Sequence, residues 1–297
     1  MRIAISAEST IDLNQELLKE YDIHFIPFPI MIGDQMKFDG EVTSKEICEF
    51  MELTGTVART AALNPKEYEN YFETLLKDYD RIMHFSISSG ISSTYEHAEN
   101  GAKKFQGKVA IIDTRSLSTG EATLAIYAKR LLDKGTPFEE VINIVKERSH
   151  KVCTTFCFEN VNYLHKSGRC SSVAAFGANL LKIRPQIVMN EEGKLESHKK
   201  FKGPVRKWVM DYAKSTLEEF NNPDHEVVFI TESAIPKEVV QELTDYLYGV
   251  GFKKVYHTNP MATVTCYVGR NVLGILYIND GDHPIQAKNK KTDTRIP

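Results

Sequence analysis

The sequence has no long hydrophobic run and no excess of basic residues, and each absence excludes a class of protein. No apolar stretch approaches the ~20 residues that a membrane-spanning helix needs. Lysine and arginine total 37 against 40 aspartates and glutamates, so no dense basic stripe indicates nucleic-acid binding. The N-terminus enters a strand pattern directly, without the apolar segment and cleavage site of a signal peptide. These features predict a soluble cytoplasmic protein.

Cysteine is also scarce. The five cysteines are an odd number scattered along the chain, which is typical of free thiols in a reducing compartment. Cys153 and Cys157 are the closest pair in sequence, but no further cysteine or histidine clusters with them as zinc ligands would. We therefore predict no metal site, and we expect no cofactor.

The chain does contain a regular alternation of strand-like and helix-like segments. Its 297 residues are enough for about two domains of ~150 residues each. The alternation is typical of an α/β fold with largely parallel strands. We predict an N-terminal α/β domain at residues 1–150, a C-terminal α/β domain at 151–280 and a flexible tail at 281–297, where the apolar periodicity ends.

The most informative stretch is residues 81–98, RIMHFSISSGISSTYEHA. Its first half predicts a buried strand, and a helix is predicted to begin at Thr94. The first N–H groups of a helix lack intrahelical partners and lie at the positive end of its dipole, so the hydroxyl-rich turn favours a carboxylate or a phosphate. A simpler interpretation is that Ser92 caps the helix and Gly90 makes the turn.

A second polar turn follows the next predicted strand. Residues 108–113 form that strand, and residues 113–120, DTRSLSTG, precede a helix predicted at 121–134. The carboxyl ends of neighbouring parallel strands meet at one edge of a sheet, where ligands of open α/β sheets bind. We therefore expect the two turns to border one crevice.

Several separated segments resemble the DegV family. Residues 4–13, AISAESTIDL, are similar to its opening TDST-DL signature, and residues 88–98, SSGISSTYEHA, match its SSGLSGTYQSA segment. The weaker similarities are to TSQPS at 60–65, IDS...S-G at 112–120, YLKKGGRI at 163–169 and GPGALG at 269–274. These segments occur in the family's order and cover about residues 1–280.

The resemblance implies two α/β domains with a fatty acid held in a pocket between them. It also implies a non-catalytic carrier that presents a long-chain fatty acid to a fatty acid kinase. Thr60 and Ser92 match the family hydroxyls that hydrogen-bond the carboxylate, and Arg169 matches the arginine near the same end of the pocket. Ser89 and Gly90, in the turn that carries Ser92, are further candidates for ligand binding.

The clearest departure from the family pattern is Tyr267, which stands where the family has a histidine two residues before GPG. The tyrosine hydroxyl can donate a hydrogen bond, so Tyr267 remains a candidate ligand contact, but it cannot become a cation near neutral pH. Glu8 replaces an aspartate and Ser93 a glycine, while Arg270 and Asn271 alter the GPG segment. Arg270 could restore positive charge near the ligand or lie on the surface.

Two other functions are compatible with the sequence. The altered residues near 267–271 would suit a different acidic amphiphile. Alternatively, Ser89 or Ser92 could be the nucleophile of an acyl hydrolase, with a histidine at 84, 97 or 165 as its base. The Gly-x-Ser-x-Gly elbow of many hydrolases is absent. For the pocket lining, the sequence offers only Phe176 and Leu180, in an apolar run downstream of Arg169.

Overall fold

The computed structural model describes residues 1–174 and 183–281 of the chain. Phe176 and Leu180, and the predicted tail from residue 282 onward, lie outside the described residues. All five cysteines are buried free thiols. Among the described residues, no helix has the length and apolar character needed to span a bilayer.

Strands and helices alternate along most of the described chain. Its strands are β1 (Ile3–Glu8), β2 (Ile23–Ile26), β3 (Pro29–Ile32), β4 (Gln35–Phe38), β5 (Arg59–Thr60), β6 (Arg81–Ser86), β7 (Val109–Asp113), β8 (Val152–Phe158), β9 (Arg184–Met189), β10 (Leu195–Phe201), β11 (Val227–Ser233), β12 (Lys254–Thr258) and β13 (Val272–Ile278). Its helices are α1 (Gln15–Glu20), α2 (Ser44–Thr54), α3 (Pro65–Leu75), α4 (Thr94–Ala102), α5 (Thr119–Asp133), α6 (Phe138–Arg148), α7 (Asn162–Lys166), α8 (Val205–Glu219), α9 (Lys237–Val250) and α10 (Ala262–Val268).

The first sheet has four strands in the order β2-β1-β6-β7, and all neighbouring pairs are parallel. The predicted strand, turn and helix around residues 81–98 are confirmed, since α4 follows β6 and begins at Thr94. The second polar turn follows β7, which pairs directly with β6. The α/β prediction is therefore correct, and the two turns lie at one sheet edge as expected.

The second sheet has six strands in the order β10-β9-β8-β13-β11-β12. The prediction of largely parallel strands is wrong for this sheet, where only β11 and β12 pair in parallel. A turn at 190–194 is too short for a parallel crossover and makes β9 and β10 a hairpin. Strand β13 enters between β8 and β11 and runs antiparallel to both. A third, small antiparallel sheet contains β4, β3 and β5.

The two large sheets share one hydrophobic core. Ile5 and Phe85 from the first sheet belong to the same buried cluster as Phe156 and Phe229 from the second. Helix α5 contacts strands of both sheets, and its alanines are fully buried there. A boundary at residue 150 would fall between β7 and β8, but because this core is continuous, the two-domain division stays a prediction.

The β9–β10 turn is packed directly against the turn that follows β6. The hydroxyl of Ser88 donates to the carbonyl of Gly193 at 2.7 Å. A Cβ atom added to Gly90 would lie 2.5 Å from that carbonyl oxygen and 2.7 Å from the carbonyl oxygen of Glu192. Real Cβ atoms do not approach oxygen so closely, so Gly90 is needed for the close approach of two backbones.

Replacing Gly90 with alanine should therefore destabilise the protein by about 1–3 kcal/mol, the usual cost of overpacking. Gly249 provides a matched control because it lies in α9, where an added Cβ atom would meet no other atom within 4 Å. Gly249→Ala should stabilise the protein by about 0.5–1 kcal/mol through its helix propensity. Urea unfolding of both variants tests this, and equal stabilities would refute the close-approach interpretation.

Candidate functional site

A cavity of about 340 Å³ lies between the polar turns at the edge of the first sheet and strands of the second sheet. This volume is within the range of ~300–1,000 Å³ typical of small-molecule pockets. The first sheet contributes the turn after β6, and the second contributes β8, β9 and β10. Helix α10 and strand β5 also contribute to the wall. The cavity thus depends on segments from both halves of the chain.

Most of the cavity wall is apolar. Phe156 and Phe158 of β8 both line it, since residues two apart on a strand lie on the same face. Ile187 of β9 and Leu195 of β10 extend this surface, and Ile87 faces it from the turn after β6. A hydrocarbon chain that entered the cavity would leave water and contact these side chains.

Several hydroxyl groups also line the cavity. The hydroxyls of Thr60 and Tyr267 are hydrogen-bonded to each other at 2.6 Å. Ser92 lines the same cavity, and its hydroxyl bonds that of Thr94 at 2.6 Å. Arg169 also lines the cavity and donates to the carbonyl of Ile91 at 2.9 Å. The structure therefore brings Thr60, Ser92, Arg169 and Tyr267 to one cavity.

The N-terminus of α4 borders the cavity through Ser92 and Ser93. Ser93 is the N-cap residue but makes no side-chain capping hydrogen bond. The hydroxyl of Ser92 accepts a hydrogen bond from the backbone N–H of Thr94 at 3.3 Å. Ser92 thus supports the start of the helix and also lines the cavity, so the capping and binding interpretations do not exclude each other.

Ser89 and Gly90 do not line this cavity. The hydroxyl of Ser89 donates to one carboxylate oxygen of Asp113 at 2.5 Å, and its backbone N–H donates to the other at 3.1 Å. This contact joins the two polar turns at the sheet edge. Gly90 packs against the β9–β10 turn instead. The contacts of Ser89 and Gly90 are therefore with other parts of the protein.

Two buried carboxylates hold the start of α10. Asp12 accepts a hydrogen bond from the backbone N–H of Met261 at 2.6 Å. Asp39 accepts from those of Ala262 at 3.1 Å and Thr263 at 3.0 Å. Acceptors of this kind satisfy the free N–H groups of a helix N-terminus. They fix the helix that carries Tyr267, although they lie more than two hundred residues earlier in the chain.

Comparison with known proteins agrees with this architecture. The family model described as "Uncharacterised protein, DegV family" matches residues 2–280. The chain belongs to the DegV family. A DegV domain-containing protein of Caldanaerobacter subterraneus is 30% identical over 224 residues, which are 74% of this chain and 79% of that protein.

Solved DegV structures have the same fold. A fatty-acid-binding DegV protein from Thermus thermophilus superposes with a TM-score of 0.85 at 22% identity, covering 94% of this chain and 99% of that one. A DegV protein from Ruminococcus gnavus, refined with vaccenic acid, gives a TM-score of 0.82 at 21% identity, with coverages of 93% and 99%. At these identities the likeness establishes the DegV fold for this chain.

The residues that differ from the DegV family pattern lie in different environments. Arg270 is paired with Glu52 at 2.8 Å and is not among the cavity-lining residues, which favours the surface interpretation. Glu8 is fully buried and accepts hydrogen bonds from Tyr68 at 2.8 Å and from the backbone N–H of Ile87 at 3.0 Å. Through Ile87, Glu8 supports the cavity wall without lining it.

His84 and His97 make hydrogen bonds that do not involve Ser89 or Ser92. His84 is fully buried, and its ring nitrogens bond Ser6 at 2.8 Å and Glu8 at 2.9 Å. This Ser–His–Glu arrangement resembles a catalytic triad, but all three side chains are inaccessible. His97 bonds a backbone carbonyl, and the hydroxyls of Ser89 and Ser92 bond Asp113 and Thr94.

Glu121 is a buried carboxyl group close to the cavity. Thr10, which lines the cavity, donates to Glu121 Oε2 at 3.3 Å, whereas Oε1 has no partner among the described residues. Burial, together with the nearby charge of Glu8, raises the pKa of Glu121 well above its ordinary value of 4.5. Burial likewise raises the pKa of Asp12. The sequence did not indicate that Glu121 is buried near the cavity. Acidic residues are common on the surface at the start of a helix, so its position in the predicted helix was not unusual.

The raised pKa of Glu121 predicts a pH-dependent stability. The folded chain retains this proton above pH 4.5, where the unfolded chain releases it. The contribution of Glu121 to the free energy of unfolding is therefore fully present below pH 4.5. It is lost as the pH rises through the pKa of the folded chain, by at most about 1.4 kcal/mol per pH unit. Glu121→Gln should reduce this loss in urea unfolding between about pH 5 and about pH 8. The exposed control Glu218→Gln should keep the wild-type profile, and a Glu121→Gln profile identical to wild type would contradict the assignment.

Proposed function

We propose that this chain binds a long-chain fatty acid in the cavity between its two large sheets. The carboxylate lies at the hydroxyls of Thr60, Ser92 and Tyr267, with Arg169 nearby, and the acyl chain lies along the apolar wall. The observation that carries this proposal is that these hydroxyls and the guanidinium of Arg169 lie on one mainly apolar cavity. The DegV proteins from Thermus thermophilus and Ruminococcus gnavus, described with fatty acids, support the choice of ligand.

The two parts of the ligand have different roles in this proposal. Each buried methylene contributes ~0.8 kcal/mol before ordering costs. A carboxylate at an exposed helix N-terminus gains only ~0.3–1 kcal/mol, rising to ~2 kcal/mol when partly buried. The acyl chain therefore sets most of the affinity, and the hydroxyls fix which end of the ligand lies at α4.

The hydroxyl pair of Thr60 and Tyr267 suits a carboxylate. Their mutual hydrogen bond uses one of the two hydroxyl protons, and the other proton remains available to an acceptor. Tyr267 thus replaces the family histidine as a neutral donor. Since Arg270 is paired with Glu52, Arg169 is the cationic side chain on the described cavity wall.

We further propose that the chain acts as a non-catalytic carrier that presents the fatty acid to a fatty acid kinase in the cytoplasm. The contacts of Ser89 and Ser92, which involve no histidine, favour a carrier over an acyl hydrolase. A different acidic amphiphile remains the second candidate, favoured by the tyrosine at position 267 in place of the family histidine.

Ser92→Ala and Thr60→Val should each weaken fatty acid binding by about 1–2 kcal/mol, because each removes a hydrogen bond to a charged group. In a fluorescence displacement titration this corresponds to about a fivefold to thirtyfold increase in Kd. Ser89→Ala is the matched control and should bind as the wild type does, since Ser89 lies outside the cavity. Wild-type affinity in both Ser92→Ala and Thr60→Val would disprove the head-group assignment.

The kinase proposal predicts acyl phosphate formation when the lipid-loaded chain is mixed with ATP and a bacterial fatty acid kinase. Tyr267→His restores an imidazole beside Thr60 and should increase the rate, provided that the variant still binds the fatty acid. The acyl phosphate can be measured by trapping with hydroxylamine. No product with either the wild type or Tyr267→His, although both bind the acid, would argue against a kinase partner.

A further inference from the structure

The cavity wall contains a second polar position, which the proposed carboxylate contacts do not use. Thr263 of α10 lines the cavity and is only 2% exposed. Its hydroxyl has no hydrogen-bond partner among the described residues. By contrast, the hydroxyl of Thr265 on the same helix donates to the carbonyl of Pro260 at 3.3 Å. The hydroxyl of Thr263 is therefore exceptional within its own helix.

Thr10 lies on the same cavity wall. The 3-10 turn Ser9–Ile11, which contains Thr10, packs against α10. Because the hydroxyl of Thr10 donates to Glu121, its oxygen still has lone pairs that can accept a hydrogen bond. Thr263 has an unused donor, and Thr10 has an unused acceptor. Together they match a group that both accepts and donates, which is the property of an alcohol.

Thr263 is separated from the proposed carboxylate contacts. It precedes Tyr267 by four residues on α10, so their Cβ atoms are about 5–6 Å apart, one helical turn. A ligand whose carboxylate lies at Tyr267 would pass Thr263 with its chain. Buried hydroxyls usually have a partner, and an unpartnered one is costly. A wholly apolar chain would leave the hydroxyl of Thr263 unpaired.

We propose that the cavity preferentially takes a fatty acid that carries a hydroxyl group on its acyl chain. The ligand hydroxyl accepts a hydrogen bond from Thr263 and donates one to Thr10. This inference rests on the proposed fatty acid binding and adds the chemical class of the preferred ligand. Thr263 is then a specificity-determining residue, whereas Thr60, Ser92 and Tyr267 recognise the carboxylate common to all fatty acids.

The test compares hexadecanoic acid with a series of its monohydroxylated derivatives, each carrying the hydroxyl at a different chain position. Affinities are measured by displacement of a fluorescent fatty acid from the purified protein. We expect one or a few neighbouring positions to bind about fivefold to tenfold more tightly than the parent acid, as one additional hydrogen bond would provide.

Thr263→Val keeps the size of the side chain and removes its hydroxyl, so the affinity for the preferred hydroxylated acid relative to that for hexadecanoic acid should fall to about one. Thr265→Val is the matched control, since it makes the same change at a buried position outside the cavity lining. The ratio of the two affinities should therefore stay at its wild-type value in Thr265→Val, even if that variant is less stable.

Three outcomes would overturn the inference. Equal binding of all the acids by the wild type would mean that the hydroxyl of Thr263 does not select the ligand. An equal loss of affinity for every acid in Thr263→Val would place this residue at the carboxylate instead. A preference that persists in Thr263→Val would assign it to other residues. Failure of the proposed function is distinguishable, because then neither hexadecanoic acid nor its derivatives would displace the probe.

Discussion

The candidate site depends on the hydrogen bonds that Asp12 and Asp39 accept from the first turn of α10. These carboxylates come from the N-terminal part of the chain, whereas α10 comes from near its C-terminal end. By fixing the start of the helix they set the position of Tyr267, which meets Thr60 of the small sheet. Loss of these bonds would leave the first N–H groups of α10 without their buried acceptors, and the helix would no longer be fixed in the cavity wall.

A second constraint acts on the part of the cavity wall that follows β6. The β9–β10 turn lies against the turn after β6, and this close contact requires the absence of a side chain at Gly90. The turn after β6 carries Ile87 and Ser92, while β9 and β10 carry Ile187 and Leu195. The same contact therefore holds together the polar part and the apolar part of the wall. Within this one turn, Ile87 and Ser92 line the cavity, whereas Ser89 bonds Asp113 and Gly90 packs against the β9–β10 turn.

Local patterns in the sequence predicted much of the first sheet and its turns. The apolar run before Ser88 and the hydroxyl-rich turn were sufficient to predict β6 and the start of α4 at Thr94. Contacts between distant residues could not be predicted in this way. No local signal joins Asp39 to α10, and the alternation of strands and helices does not reveal that β13 runs antiparallel between β8 and β11. In the sequence, Phe156 and Phe158 cannot be distinguished from ordinary core residues. Only the structure shows that they line the cavity from one face of β8.

The central claim is that the cavity between the sheets holds a fatty acid. The most direct test is denaturing extraction of the purified protein, followed by mass spectrometry of any lipid that was bound. We expect about one fatty acid per chain, or uptake to that level when lipid-free protein is incubated with a panel of fatty acids. A protein that contains no lipid and takes up none of the panel would contradict this claim, and the cavity would then have to serve a different ligand.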